Sequence, residues 1–327
     1  MIISRTPLRM SFVGGGSDLP SFFKSHGGAV ISTSIDKYVY IILKEKFDPG
    51  YRISYSITEN VPKRDDIKHE LFRNALEMCN IDKSLEIVSI ADIPSMTGLG
   101  SSSSFSVGLL NALNFYKENK EVNNKEFLAT KACTLEIEIC NSPIGKQDQY
   151  AASYGGLKLY EFREDDTVEV KEINCSSKLK EKLNQNILTF YIGGKRSAEK
   201  ILKSQNMDMK KSSKQNNMQK MVNLVWDLKY ELESESLDNF GNILHENWML
   251  KKDLTSSIAN KEIDEIYETA MNLGAEGGKL LGAGGGGFMI FYVPEESKRL
   301  DIKQKLSNLK PIELNFEDKG SCIMDLT

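Results

Sequence analysis

The sequence is poor in the residues from which most metal and nucleophile sites are built. Only three histidines occur, His26, His69 and His245, far apart in the chain. A zinc centre or a histidine-based triad is not expected from them. The five cysteines (Cys79, Cys133, Cys140, Cys175 and Cys322) are odd in number and form no C-x-x-C pair. They point to reduced structural thiols and a cytoplasmic protein. No segment approaches the ~20 apolar residues that span a bilayer. Met1-Ile2-Ile3-Ser4-Arg5-Thr6-Pro7 lacks the apolar stretch of a signal peptide. Charge of either sign is in little excess: the formal net charge is −4. No global field draws the chain to nucleic acid or to an anionic membrane. There is no repeat of fixed period and no Walker pattern G-x-x-x-x-G-K-[ST], which sets aside a P-loop NTPase.

What the chain does have is glycine in runs. Residues 94–103 read Pro-Ser-Met-Thr-Gly-Leu-Gly-Ser-Ser-Ser, between strand-like Leu85–Ile90 and a helix-like segment ending at Tyr116. Strand, glycine loop, serine cap and helix make an anion site from backbone N–H groups and a helix N-terminus, and the anion most often held so is a nucleotide phosphate. The competing reading is a serine-capped turn with no ligand. Four serines where one cap suffices favour the ligand. A second run, Gly282 to Gly287, satisfies G-x-G-x-x-G. A helix-like segment is expected before it and a strand after, the reverse of a dinucleotide fingerprint. Its backbone is pressed against either a ligand or the facing glycine loop. A third run, Val13-Gly14-Gly15-Gly16-Ser17-Asp18, ends a strand. Asp18 suits recognition of a ligand hydroxyl or, equally, the N-cap of a helix over 19–24.

The first half reads as strands at 9–13, 29–34, 38–44 and 51–57, with the second and third paired as an antiparallel hairpin. Helices are expected at 66–79, 105–116 and 124–140, the last capped by Asn123 or Asn124. It stops before Pro143, and the chain turns at Gly145 to present Asp148. A different composition starts near residue 176. It holds a strand at 187–192, polar helices over 195–253, and a helix at 263–273. A βαβ-like tail follows, with strands at 288–293, 312–316 and 322–326 and a helix at 295–309. This pattern is α+β. The stripe Met221, Leu224, Val225 and Leu228 reads as a helix face on a core.

Taken together and in this order, Arg5-Thr-Pro-Leu-Arg9-Met-Ser-Phe-Val-Gly-Gly-Gly-Ser-Asp18, the Gly98–Ser103 run, Glu136 to Asp148, and Lys279-Leu-Leu-Gly-Ala-Gly-Gly-Gly-Gly287 resemble the motifs of the GHMP kinases. The resemblance spans nearly the whole chain, and its first motif looks like the sugar-1-kinase branch. It implies a two-domain fold. Residues 1–175 would form a ribosomal protein S5 domain 2-like unit, and residues 176–327 a ferredoxin-like α/β sandwich. It implies ATP and Mg²⁺, with a small sugar phosphate as acceptor and no nucleic acid or membrane partner. A homodimer is left open. Gly98, Leu99, Gly100, Ser101, Ser102 and Ser103 would wrap the ATP phosphates. Ser102 and Glu136 would ligate Mg²⁺, with Glu138 as the alternative to Glu136. Asp148 matches the catalytic aspartate and Arg9 the basic residue beside it. Gly15, Gly16, Ser17 and Asp18 match acceptor contacts, and Gly284 and Gly285 belong to a loop closing over both substrates. The branch implies transfer to the anomeric hydroxyl of a heptose 7-phosphate. The alternatives are another sugar of the fucokinase type, or a catalytically inactive nucleotide-binding regulator. An acceptor phosphate needs cations. Lys195 and Arg196 after Gly193-Gly194 are the leading pair against a bland reading as exposed basic residues, with Arg5 and Lys146 behind them.

Overall fold

The computed structural model describes residues 1–194, 198–209 and 211–324. Strand β1 (Ile2–Val13) leads through helix α1 (Pro20–His26) to β2 (Gly28–Glu45), β3 (Tyr51–Ser54) and β4 (Thr58–Val61). Then come α2 (Glu70–Met78), β5 (Leu85–Ala91), α3 (Ser101–Tyr116), α4 (Lys125–Cys133) and α5 (Gln147–Tyr154). Strands β6 (Leu157–Phe162) and β7 (Val168–Glu172) close the first half. The second half runs α6 (Ser177–Gln185), β8 (Ile187–Gly193), α7 (Ala198–Asp208), α8 (Ser212–Glu233), α9 (Phe240–Lys252) and α10 (Lys261–Asn272). It continues through β9 (Gly277–Leu280), β10 (Gly287–Tyr292), α11 (Glu296–Lys305), β11 (Lys310–Pro311), β12 (Phe316–Glu317) and β13 (Cys322–Ile323). Lys195 and Arg196 lie outside the described residues. Among the described residues no helix is long and apolar enough to cross a membrane, and all five cysteines are free thiols.

The long strand β2 organises the first sheet. It pairs antiparallel with β1 along one side, and on the other with β6 over its first third and β5 over its last. It is one continuous strand where the sequence suggested a hairpin. Asp36 and Lys37, whose polarity looks like a turn, form a bulge instead: Pro7 faces Tyr38 while the next residue, Leu8, faces Ile35. The bulge is held from outside the sheet. Asp36 N–H donates to Asn315 O at 2.8 Å, and Asn315 N–H donates to the Asp36 carboxylate at 3.0 Å. A bulge keeps strand direction while re-aiming side chains.

Helix α3 lies on this sheet and is buried nearly all round, from Ser103 to Asn114. Apolar residues on every face mark a helix inside a core rather than on a surface. Helix α4 is capped by Asn124, whose side chain accepts from Phe127 N–H at 3.1 Å. It then widens into a π-helical stretch, Thr134–Ile139, where the sequence suggested one uniform helix.

The second sheet has the order β11-β8-β10-β9 and is antiparallel. The segment before Gly282 is strand β9, not the expected helix. Lys279–Leu280 is extended because it pairs with Met289–Ile290 of β10. The stripe of α8 packs on the core as read, with Met221, Leu224, Val225 and Leu228 all buried. The tail departs from the βαβ expectation. Phe316–Glu317 pairs with Ile35–Ser34 of β2, and Cys322–Ile323 with Arg5–Ser4 of β1, so the chain ends in the first sheet. The second half meets the first sheet at Phe12, whose ring packs edge-on against Phe240 of α9 at 5.4 Å. Beside it, the buried ammonium of Lys279 donates to the Ser11 and Phe12 carbonyls at 2.8 Å each. Those carbonyls sit at a register shift in β1, where the ladder leaves acceptors to be met by a side chain.

Candidate active site

A cavity of about 830 Å³ opens between the ends of β1, β5, α3 and α5 and the β9–β10 turn. It is lined by Arg9, Gly15, Gly16, Asp18, Gly98, Gly100, Ser101, Ser102, Ser103, Glu136 and Asp148. Segments from both ends of the chain, from Arg9 to the Gly282 turn, are therefore brought together. Leu99 is buried behind the loop, and its carbonyl accepts from Arg9 N–H at 3.0 Å.

The serines do not cap α3. Its N-cap is Gly100, in the left-handed conformation, and Ser101–Ser104 form the first helical turn. Their hydroxyls are thus free for other partners. Ser102 Oγ donates to Glu136 Oε1 at 2.8 Å, and Ser104 Oγ donates to Pro7 O at 2.7 Å. The loop before the helix is braced by the other glycine run. Gly98 (φ +85°) and Gly282 (φ +77°) touch backbone to backbone: a Cβ on Gly282 would lie 2.4 Å from Gly98 Cα. Only paired glycines in that conformation allow so close an approach. Of the two readings left open for Gly282–Gly287, the facing loop is observed for Gly282. Gly284 and Gly285 turn the other way, and Gly285 N–H donates to Ile258 O at 2.9 Å; neither lines the cavity.

Glu136 sits in the π-helical stretch and is 1 % exposed. The wider turn aims its carboxylate at α3; π-bulges often occur at such places. Besides Ser102, Gln149 Nε2 donates to its Oε2 at 2.7 Å. Burial raises its pKa above the usual carboxylate range, the hydroxyls of Ser102 and Ser103 and the Gln149 amide opposing, and the Asp148 charge adding to the rise. A buried carboxylate with no ion-pair partner among the described residues, beside a serine oxygen, is a hard-oxygen pair that fits Mg²⁺. Among the described residues no three His, Cys, Asp or Glu converge into a complete protein cage. Mg²⁺ ordinarily keeps waters and substrate phosphates as its remaining ligands, so a two-residue set suffices. Glu138 does not line this cavity and faces a separate, smaller one with Lys146 and Thr130.

Asp148 lies in the first turn of α5. Arg9 grips it with two parallel bonds, Nε to Oδ1 and Nη2 to Oδ2, each 2.7 Å, and gives Nη1 to Gly98 O at 2.5 Å. A planar guanidinium is suited to this fork, which fixes the carboxylate's orientation as well as its charge. Asp18 is not an N-cap: Leu19 occupies that position and receives no side-chain bond. The Asp18 carboxylate accepts from Gly16 N–H at 3.0 Å, Gln147 N–H at 3.2 Å and Gln147 Nε2 at 3.3 Å. Burial raises its pKa, with the nearby Asp148 charge adding to the rise. Gly145 makes room for it, since a Cβ there would stand 2.0 Å from Asp18 Oδ2. Ser17 faces away: its hydroxyl bonds both the carbonyl and the N–H of Ala29 at 3.0 Å.

Residues 67–156 match the family model described as GHMP kinases N terminal domain, and residues 228–311 match that described as GHMP kinases C terminal. The chain belongs to the GHMP kinases. A D-glycero-alpha-D-manno-heptose 7-phosphate kinase of Campylobacter jejuni is 28% identical over 314 residues, 92% of each chain. A galactokinase of Pyrococcus furiosus is 27% identical, covering 91% of this chain and 90% of its own. A crystal structure from Bacteroides thetaiotaomicron, described as a D-glycero-D-manno-heptose 1-phosphate kinase, superposes with a TM-score of 0.80 at 22% identity over the whole of both chains. The likeness is one of fold, the α+β GHMP kinase fold.

In the GHMP kinase site Gln147, inside the Glu136–Asp148 motif, supports Asp18, and Gln149, buried outside the lining, supports Glu136. Other lining residues belong to no motif. Gln205 on α7 and Lys251 on α9 reach in from the second half, and Tyr55, His69, Ile93 and Met96 also line the cavity. Lysine and glutamine in polar helices carry no local sign of such a role.

Proposed function

We propose that this chain is an ATP-dependent sugar kinase whose acceptor is D-glycero-D-manno-heptose 7-phosphate, phosphorylated on its anomeric hydroxyl to the 1,7-bisphosphate. The observation that carries the reading is the Arg9–Asp148 fork, set in one cavity with the glycine-serine loop and the Ser102–Glu136 pair. The heptose acceptor rests on likeness to the Campylobacter kinase.

Phosphoryl transfer needs positioning and charge neutralisation more than covalent help. The α3 N-terminus and the N–H groups of residues 98–103 would hold the ATP phosphates. Tyr55, His69, Ile93 and Met96 offer aromatic and apolar surface for the base. Ser102 and Glu136 would hold Mg²⁺, which when bound neutralises charge across the phosphate oxygens. Asp148 would orient the acceptor hydroxyl and take its proton as the oxygen attacks. Arg9 keeps that carboxylate aimed, and Asp18 with Gln147 would fix a neighbouring hydroxyl. Residues 1–175 supply the phosphate loop and the acid; residues 176–327 supply the glycine turn that braces them.

The deciding experiment is ATP turnover against a panel of heptose 7-phosphate, heptose 1-phosphate, free heptose, fucose and galactose, with the product phosphate located by NMR. The proposal expects heptose 7-phosphate to have the highest kcat/KM and a new phosphate on C1. Preference for an unphosphorylated sugar would overturn the acceptor, and no turnover with any would favour an inactive regulator. Ser102→Ala removes one oxygen of the metal pair and leaves Glu136 short of a donor. It should raise the Mg²⁺ concentration for half-maximal turnover roughly tenfold. An unchanged Mg²⁺ dependence would exclude Ser102 as a ligand.

A further inference from the structure

Lys251 lies in the last turn of helix α9 with its side chain turned inward, and it is 5% exposed. Its single hydrogen bond among the described residues runs from Nζ to Gly282 O at 2.6 Å. Among the described residues no carboxylate stands within ion-pair distance of it. A buried ammonium without a counter-ion costs free energy, and native proteins meet such groups with an anion. The position says what that anion would be. Gly282 touches the Gly98 loop on one side. On the other side the ammonium converges with Ser11 Oγ and the Gln147 amide on Gly15; a Cβ at Gly15 would lie 3.9, 3.4 and 3.8 Å from these three groups. Ser11 Oγ, Gln147 Oε1 and, on the same wall, Gln205 Nε2 are buried polar atoms with no hydrogen-bond partner among the described residues. Lys251 thus stands between the loop assigned to ATP and the residues assigned to the acceptor.

We propose that Lys251 is an oxyanion-binding residue of the transfer site, its remaining N–H groups donating to phosphate oxygens of a bound substrate. The proposal rests on the kinase reading above. A phosphate oxyanion reaches this point from either of two sources, the γ-phosphoryl group of ATP or the acceptor's own phosphate. Either would supply the missing counter-charge, and the Gly282 carbonyl would keep the ammonium in place. The charged groups facing it are Arg9 on β1 and Lys279 on β9, which disfavour its charge, and Asp18 and Asp148, which favour it. Burial together with the Arg9 charge pushes its pKa down to about 8. The free enzyme therefore loses this cation as pH rises through about 8.

The test compares wild type, Lys251→Met and Lys251→Arg. Calorimetry gives affinities for ADP, a non-hydrolysable ATP analogue, heptose 7-phosphate and unphosphorylated heptose; kcat/KM is followed from pH 6 to 10. If the γ-phosphoryl group is the source, Lys251→Met loses roughly tenfold or more on the ATP analogue relative to ADP. If the acceptor phosphate is the source, the same loss appears on heptose 7-phosphate relative to heptose. Lys251→Arg restores most of either loss. It also removes the fall of kcat/KM above about pH 8 expected of wild type, because a guanidinium does not titrate there. Both affinity ratios at wild-type values in Lys251→Met overturn the proposal. So does an equal loss on all four ligands, which marks a structural residue. The kinase reading fails separately, if wild type turns over no acceptor at all.

Discussion

Asp148→Ala lowers kcat by roughly 10²–10⁴-fold, the range that a positioned general base contributes, and leaves the KM for ATP within about twofold. The carboxylate is the group that Arg9 orients with two 2.7 Å bonds, and it is only partly exposed, at 24% of its side chain, toward the cavity. On the proposed roles its removal takes away the proton acceptor but not the phosphate loop, so binding of nucleotide should survive. Arg9, 4% exposed, then keeps only its Gly98 carbonyl bond. A guanidinium stripped of its partner is costly in a buried site; here the exposure of Asp148 moderates that cost. Asp148→Asn separates the two effects. It preserves shape and one acceptor oxygen for Arg9, and should recover the thermal midpoint while remaining as slow as the alanine variant. Steady-state kinetics on both variants check this, and wild-type turnover in either would remove Asp148 from the chemistry.

The second large effect is expected at a residue that lines the cavity but bears no side chain. Gly282→Ala places a methyl group 2.4 Å from Gly98 Cα and 2.9 Å from Gly98 O, in a backbone conformation that side chains resist. The left-handed conformation alone costs about 1–2 kcal/mol. The contact adds to this, because backbone cannot swing aside as a long side chain can. The loops must part, and a displacement near 1 Å at a reacting centre is worth roughly 10² in rate. The expected result is a fall of about that size in kcat/KM for ATP and a lower thermal midpoint. A variant with wild-type kcat/KM would mean that the Gly98 loop does not hold the phosphates. Gly284→Ala is the control. Its glycine also has positive φ but packs on Ile258, so it should lose stability with a smaller change in the KM for ATP.

The parts of the site legible in the sequence were those encoded by short, contiguous residue types. Two glycines and four serines after a strand read as an anion loop, and the order of the segments carried the family. What escaped was encoded at a distance. Asp36-Lys37 has the composition of a turn, and only Asn315, far along the chain, makes it a bulge. Lys279-Leu280 reads as helix by composition, and β10 makes it a strand. The π-helical turn that points Glu136 at Ser102 has no compositional mark, because it differs from the α-helix only in hydrogen-bond spacing. Lys251 sits in the last turn of a polar helix, where a lysine is most often solvated, and the sequence gives no sign that it turns inward. Asp18 had two readings from local sequence, and its bonds to Gln147, across the fold, take it away from the helix cap.

The return of β12 and β13 to the first sheet has a mechanical consequence. The second sheet and its helices are spliced into the first unit, entering after Glu172 and leaving before Phe316. A body tied at two points has one easy rotation, about the line through its tethers; a body on a single linker has three. Packing restrains even that rotation here: Phe240 on Phe12, the Lys279 bonds to the Ser11 and Phe12 carbonyls, and Gly282 on Gly98. Cutting the chain between Pro311 and Phe316 would leave that packing to do the work of the second covalent tether, without removing any residue that lines the cavity.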